Sequence, residues 1–329
     1  MGLSTPAAAA TKLTEINPDL TKVTLLNFND FHGRIDGGMD LTGPLGKNFA
    51  CSIVTARATH GADATLLLSA GDSVGASSFA SNLAEDHPTI EYLNTLGLRS
   101  SAVGNHEFDR GFTWLTDTAQ EMADFTYLGA NVYERDTTTP ALPEYAVHEA
   151  AGVWVGVIGV VTEDTPDMVT PSGVAGLDFG DPVEAVNRVA AQLTDGDETN
   201  GEADIIVAEY HEGSPTSVGL TEAKASELFV RILEETSPEV DVIFNGHTHQ
   251  LYQWDGPNGE KWTAPATSPF EDVTSSTAFY KEITWLAETG IATGWDDGTY
   301  RPVTPINRDA MAAYLYRFVD NLGVPQVVG

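Results

Sequence analysis

Residues 101–109 read Ser101-Ala102-Val103-Gly104-Asn105-His106-Glu107-Phe108-Asp109. A short β-prone run breaks at a glycine and gives way at once to amide, imidazole and carboxylate side chains. The same arrangement recurs at four other places. Residues 22–28 run into Asn29-Asp30-Phe31-His32-Gly33, and residues 64–69 into Gly71-Asp72-Ser73. Residues 204–208 lead to His211-Glu212-Gly213, and residues 240–244 to Gly246-His247-Thr248-His249. Two further β-rich runs lie at 125–128 and 153–161. Between these runs, residues 88–96, 111–123, 182–193 and 221–235 carry apolar side chains every three to four positions. That alternation predicts an α/β fold. In such sheets the carboxyl ends of the strands share one edge where ligands gather, so five separated clusters are expected to converge on one site.

Composition narrows the classes of partner. The 329 residues are 42% hydrophobic, ample for a packed core. Against 16 basic residues stand 48 acidic ones, a formal net charge of −32. Recognition of a nucleic-acid duplex through its phosphates, or of an anionic membrane surface, normally needs a basic patch, so neither partner is expected. An anionic substrate would have to find its positive charge in bound metal ions. The single cysteine, Cys51, excludes an internal disulfide and a thiolate cluster, and is expected to be a small buried apolar residue. The longest apolar run, 150–161, is well short of the ~20 residues that span a bilayer, so no membrane insertion is expected. Residues 1–12 show no signal peptide as written.

Five of the eight histidines (His32, His106, His211, His247, His249) fall in the strand-end clusters, and His60, His87 and His148 are expected on the surface or in loops. Imidazole mixed with carboxylate and amide oxygen suits zinc, manganese, iron or cobalt, and not calcium. Seven candidate ligands are too many for one tetrahedral ion and suit two divalent ions ~3.5–4 Å apart, which requires a bridging carboxylate. The pairs Asp30/His32 and His247/His249, each two residues apart, can put both side chains on one ion.

In this order the five blocks, spread over about 230 residues, resemble the calcineurin-like metallophosphoesterases, and more narrowly the 5'-nucleotidase family. The resemblance implies a two-layered β-sandwich flanked by helices. It implies that Asp30, His32 and His249 bind a first ion, that Asp72 bridges, and that Asn105, His211 and His247 bind a second. His106 would contact the phosphate, stabilising the transition state or protonating the leaving oxygen, with Asp109 orienting it; read alone, Asp109 serves equally to cap a helix near Gly111. Asn105 and His106 would thus face the substrate. Glu107 and Glu212 are ligand types that the family does not use, and they read as structural. The activity implied is hydrolysis of a small phosphate ester, foremost a nucleotide phosphomonoester, by a water activated between two metals. The alternatives are a 2',3'-cyclic nucleotide phosphodiesterase or broad phosphatase, and a cell-wall-associated fragment that binds metal with little or no turnover.

The C-terminal stretch differs in texture. Phe270-Glu271-Asp272-Val273, ITWLAETGI at 283–291, GWDDGTYRP at 294–302 and residues 307–317 resemble one S-layer homology module, a small helical unit that binds cell-wall polymers. Asn307-Arg308-Asp309-Ala310 stands where the module usually has Thr-Arg-Ala-Glu. Helices are expected at 279–289 and 308–322. The organisation expected is an N-terminal extension at 1–21, a catalytic domain at 22–255, a linker at 256–269 and the module at 270–322. The final strands of the sandwich are expected to be cut short near Asp255, and the family's base-recognising second domain to be missing. The family and the module both imply an extracellular or wall-associated protein. Four basic and eight acidic residues after position 265 leave most of the negative charge on the catalytic part.

Overall fold

A computed structural model describes residues 21–35, 45–197, 199–252, 267–277, 280–288, 291–295 and 297–302. The chain divides into two compact units, Met1–Leu251 and Tyr252–Gly329. The expected linker and domain end near Asp255 fall largely outside the described residues, as do the expected second helix of the module and the N-terminal extension up to residue 20.

The described residues of unit 1 form ten strands: β1 Thr24–Phe28, β2 Thr65–Ser69, β3 Leu98–Ala102, β4 Thr126–Leu128, β5 Val132–Glu134, β6 Tyr145–Ala150, β7 Val153–Val161, β8 Leu177–Phe179, β9 Ile205–His211 and β10 Val242–Asn245. One sheet has the order β1-β2-β3-β4 and is parallel throughout. The second has the order β10-β9-β7-β6; its first three strands are parallel, and β6 joins β7 as an antiparallel hairpin. β5 and β8 form a separate antiparallel ribbon.

Alternation along the strands sorts the side chains into three apolar layers. Leu66 and Leu68 of β2, Val155 and Val157 of β7 and Val207 of β9 meet between the two sheets. Leu67 faces the opposite way, into a core with Ile53, Ile90, Leu93 and Leu96 from helices Leu45–His60 and His87–Leu96. On the far side Ile158, Val160, Ile206 and Ala208 pack on helices Pro182–Gln192 and Glu227–Glu235. The result is helix–sheet–sheet–helix, a mixed α/β sandwich. The polar clusters lie at the carboxyl ends of β1, β2, β3, β9 and β10, in the loops that follow them or, for His211, in the last strand residue itself.

The elements start where local chemistry allows. Asp181 caps helix Pro182–Gln192 by accepting from the Val183 and Glu184 amides, with proline in the first turn where its missing N–H costs nothing. The helical pattern at 221–235 is two helices, Leu220–Ala223 and Glu227–Glu235. Ser226 is extended between them (ψ 119°) and its side chain caps the second by accepting from Phe229 N. Helix Leu45–His60 escapes a periodicity reading because few of its side chains, chiefly Phe49, Ala50 and Ile53, reach the core. β3 begins at Leu98, before the expected run, since its interior is serine: Ser100 and Ser101 are fully buried.

Two expectations are corrected. Cys51 is exposed on helix Leu45–His60, since the buried face of that helix is used by Ile53. His148 is buried on β6, its Nε2 3.2 Å from Ser100 Oγ across the two sheets. Burial, helped by the Arg99 charge, pushes the His148 imidazole down from 6.5 to about 4. The unfolded chain therefore takes up this proton first. Stability is complete above pH 6.5 and falls as the pH drops towards 4, by about 3 kcal/mol from this one group. His148→Gln, which cannot titrate, should flatten the urea-unfolding free energy over that window; an unchanged acid slope would show that His148 is not responsible.

In unit 2, helix Tyr280–Glu288 matches the expected position, and Phe270, Val273 and Ile283 form a small core with Tyr280, Ala287 and Tyr300 packed on it. Asp272 accepts from the Tyr300 and Arg301 amides, 2.7 Å each, closing the turn that contains Gly298. The Arg301 guanidinium lies 4.5 Å from the Trp295 ring centroid and pairs with Asp297.

Candidate metal centre

All seven expected ligands come together at the carboxyl ends of the strands. Asp30 and His32 follow β1, Asp72 follows β2, Asn105 follows β3, His211 is the last residue of β9, and His247 and His249 follow β10. His211 thus lies within its strand and not in the loop after it. Backbone bonds lace the loops together. Asp30 N donates to Gly71 O and His32 N to Asp72 O, both at 3.0 Å. His247 N donates to Asp30 Oδ1 at 3.1 Å, and His106 N to Asp72 Oδ1 at 2.9 Å.

Five of the seven have left-handed backbone: Asp30 (φ 52°), His32 (47°), Asp72 (54°), His247 (72°) and His249 (52°). Each such residue costs of order 1–3 kcal/mol and persists only where its surroundings hold it, a pattern that concentrates at functional sites. Two neighbouring glycines are there because nothing else fits. A Cβ on Gly71 (φ 94°) would lie 2.5 Å from His211 Nδ1, and one on Gly104 2.2 Å from Asp72 Oδ1. Gly104→Ala should therefore displace the Asp72 carboxylate by about an ångström and lower activity by roughly 10²-fold, with reduced metal content by elemental analysis. Wild-type metal content in this variant would contradict the packing argument.

The donor atoms form two overlapping groups, each with atoms within 4.8 Å of one another: Asp30, His32 and His249, and Asp30, Asp72 and His211. His32 Nε2 is 3.3 Å from His249 Nε2, and His249 Nε2 is 3.4 Å from Asp30 Oδ1. Asp72 Oδ2 is 3.1 Å from His211 Nε2 and 3.7 Å from His32 Nε2, so this carboxylate touches both halves. Asn105 Oδ1 and His247 Nδ1 are 3.1 Å apart, and the His247 ring lies 5.1 Å from that of His211. Asp30 belongs to both groups, whereas the sequence resemblance implied it for one ion only.

The tautomers are dictated by the backbone. His32 Nδ1 is 2.9 Å from Gly75 O and His211 Nδ1 is 2.8 Å from Ala70 O. A carbonyl only accepts, so each Nδ1 carries the proton, and Nε2 of the neutral ring turns a lone pair inward. His211 Nε2 is buried and, despite its closeness to Asp72, makes no hydrogen bond of normal geometry. A buried lone pair facing a carboxylate calls for a cation between them, and imidazole nitrogens held by second hydrogen bonds are what a divalent metal takes. The residues present therefore fit the group.

In the protein alone, protons answer that call. Burial opposes ionisation of Asp72, but the charge of the adjacent His211, and then those of His32 and His106, outweigh it and hold Asp72 at about 2. Burial likewise disfavours charge on His211, yet the Asp72 carboxylate lifts it to about 9. His32 and His247 are both lowered, chiefly by burial.

His106 lies beside these groups, its ring 5.2 Å from that of His32. Its Nδ1 sits 3.0 and 3.1 Å from the two Asp109 carboxylate oxygens, a hydrogen bond that is the main cause raising its pKa. Asp109 does not cap the following helix; its Oδ2 also accepts from Ala76 N at 2.8 Å. Sequence reasoning did not foresee the part taken by Glu107, whose buried carboxylate accepts from four backbone amides; its place three residues after Gly104, as in a capping box, is the signal that was available. The Glu212 carboxylate accepts locally from Gly213 N at 3.0 Å, and its carbonyl from Asn245 Nδ2 at 2.9 Å.

Among known proteins, the calcineurin-like phosphoesterase family model matches residues 23–251 and the S-layer homology domain model residues 269–312. An endonuclease, YhcR, of Bacillus subtilis is 30% identical over 247 residues, covering 69% of this chain and 20% of that protein. A 5'-nucleotidase of Vibrio cholerae is 30% identical over 239 residues, covering 72% of this chain and 42% of that protein. The crystal structure of a 5'-nucleotidase precursor from Thermus thermophilus superposes with a TM-score of 0.52 at 26% identity, over 72% of this chain and 43% of that one. The chain thus spans less than half the length of each.

Proposed function

This chain belongs to the calcineurin-like phosphoesterase family and carries a C-terminal S-layer homology domain, and we propose that it hydrolyses phosphate esters of small molecules, nucleoside 5'-monophosphates foremost, with two divalent ions such as zinc or manganese. The observation that carries this reading is the meeting of Asp30, His32, Asp72, Asn105, His211, His247 and His249 from the strand ends of both sheets, with the buried Nε2 of His211 and Oδ2 of Asp72 facing each other. Asp30, His32 and His249, which form the first group, would hold one ion; His211, with His247 beside it and Asn105 next to His247, would hold the other; Asp72, within 3.7 Å of both His32 and His211, would serve both. The bound ions supply Lewis-acid polarisation of the phosphoryl oxygens and an activated water.

The chain's own residues do the rest. The Asp109 carboxylate accepts a hydrogen bond from His106 Nδ1–H, which leaves Nε2 as the ring nitrogen available to a substrate and favours the protonated imidazole. His106 is then placed to stabilise charge on the phosphate or give a proton to the leaving oxygen. No side-chain nucleophile is used. Two ions against the carboxylates of Asp30 and Asp72 leave the site cationic within a chain of net charge −32. The same excess of acid disfavours a long polyanion such as duplex nucleic acid, so small phosphate esters are preferred as substrates. The S-layer homology domain supports association with the cell wall through a wall polymer, and no described helix is long and apolar enough to cross a membrane.

The test is metal content and turnover of the full chain. Stripped protein reloaded with zinc or manganese should take up two equivalents and hydrolyse AMP and p-nitrophenyl phosphate. Metal uptake with no turnover on monoesters, AMP or 2',3'-cyclic AMP would overturn the catalytic reading. Failure to bind metal would overturn the site.

A further inference from the structure

We propose that Glu107 is a positioning residue for the metal centre: its buried carboxylate locks the loop after β2 to the loop after β3 and so presets where the Asp72 side chain stands. The inference rests on the reading of Asp72 as a metal ligand.

Glu107 has no exposed surface. Its Oε2 accepts from Asp72 N at 2.9 Å and Gly104 N at 2.6 Å, and its Oε1 from Ser73 N at 2.8 Å and Val74 N at 3.2 Å. All four partners are backbone donors, three from one loop and one from the other. A carboxylate is the side chain that meets such a set, because it accepts at both oxygens and donates at neither. The grip is reciprocal. Glu107 holds the Asp72 backbone, while Asp72 Oδ1 accepts from the backbone of His106, the residue before Glu107, at 2.9 Å. With Oδ1 engaged there, Oδ2 is left facing His211 and His32. The clasp also answers a local difficulty: Asp72 is left-handed (φ 54°), a conformation that a residue with a Cβ keeps only when its surroundings impose it.

Glutamine has the same shape but one accepting oxygen, and its NH₂ would point at two N–H donors. In the full chain, Glu107→Gln should fold and unfold cooperatively, yet bind zinc or manganese with a dissociation constant raised about 10- to 100-fold, the usual loss when a group supporting a ligand is removed. Excess metal should restore its turnover. General destabilisation would instead lower the unfolding midpoint and leave the metal affinity of the folded protein unchanged. Wild-type metal affinity and stoichiometry in this variant would overturn the proposal. A second measurement needs no variant. In metal-free wild-type protein, hydrogen exchange in peptides covering 71–75 and 104–107 should already be slow, because the clasp exists before metal arrives. Exchange at unprotected rates until metal is added would also overturn it. If the wild-type chain bound no metal while these amides exchanged slowly, the assignment of Asp72 as a ligand would be at fault and not the clasp.

Discussion

Asp72→Ala should lower kcat/KM for every phosphate ester by at least roughly 10³-fold, the scale of several kcal/mol of transition-state stabilisation. Metal content should fall from two equivalents to one or fewer. The reason is positional: Asp72 is the carboxylate in contact with both His211 and His32, and it is almost fully buried, so water cannot easily stand in for it. Asp72→Asn separates charge from shape. It keeps an oxygen for the His106 amide but removes the charge that two cations would share, and its loss should approach that of alanine. Retention of two tightly held metals by either variant, with circular dichroism unchanged, would mean that Asp72 does not bridge.

The second large effect concerns His106, and its signature is a difference between substrates. If His106 protonates the leaving oxygen, His106→Gln should cost about 10²–10⁴-fold for AMP, whose alkoxide leaves poorly. The loss for p-nitrophenyl phosphate should be much smaller, since p-nitrophenolate needs little help. Asp109→Ala should act in the same direction and more weakly, because it frees the imidazole from its 3.0 Å partner without removing it. Equal losses on both substrates would assign His106 to binding the phosphate and not to proton transfer. Both outcomes leave metal content unchanged, which distinguishes them from any effect through Asn105 next to it.

Much of the site was legible because each candidate ligand lies in, or just after, the end of a β-rich run. Such a cluster can be read without knowing how the strands order, since parallel strands present their carboxyl ends on the same side of their sheet. The two-sheet arrangement was less legible. β5 and β8 have three residues each, and β6 carries His148 and Glu149, so its alternation is faint. β3 hides its first residues behind buried serines. His148 was misplaced because one side chain's burial depends on a strand pairing that no neighbour in sequence announces: Ser100 lies 48 residues away. Helix Leu45–His60 was missed because a helix lying on a sheet needs only a narrow apolar stripe.

By itself the sequence determined the α/β class, five strand-end clusters of candidate ligands, their mixed nitrogen and oxygen donor set, and the net negative charge. Those depend on residue type and on spacing along the chain, and both are written there. Only the tertiary structure decided how the donors divide. It put Asp72 against two histidines and Asp30 in both groups, and fixed the inward tautomers of His32 and His211 through the carbonyls of Gly75 and Ala70. It also gave Glu107, which reads as structural in the sequence, its partners: the backbone amides of two separate loops. These are relations between segments far apart in sequence, set by strand register and left-handed turns, and they exist only once the sheets have brought the loops within hydrogen-bonding distance.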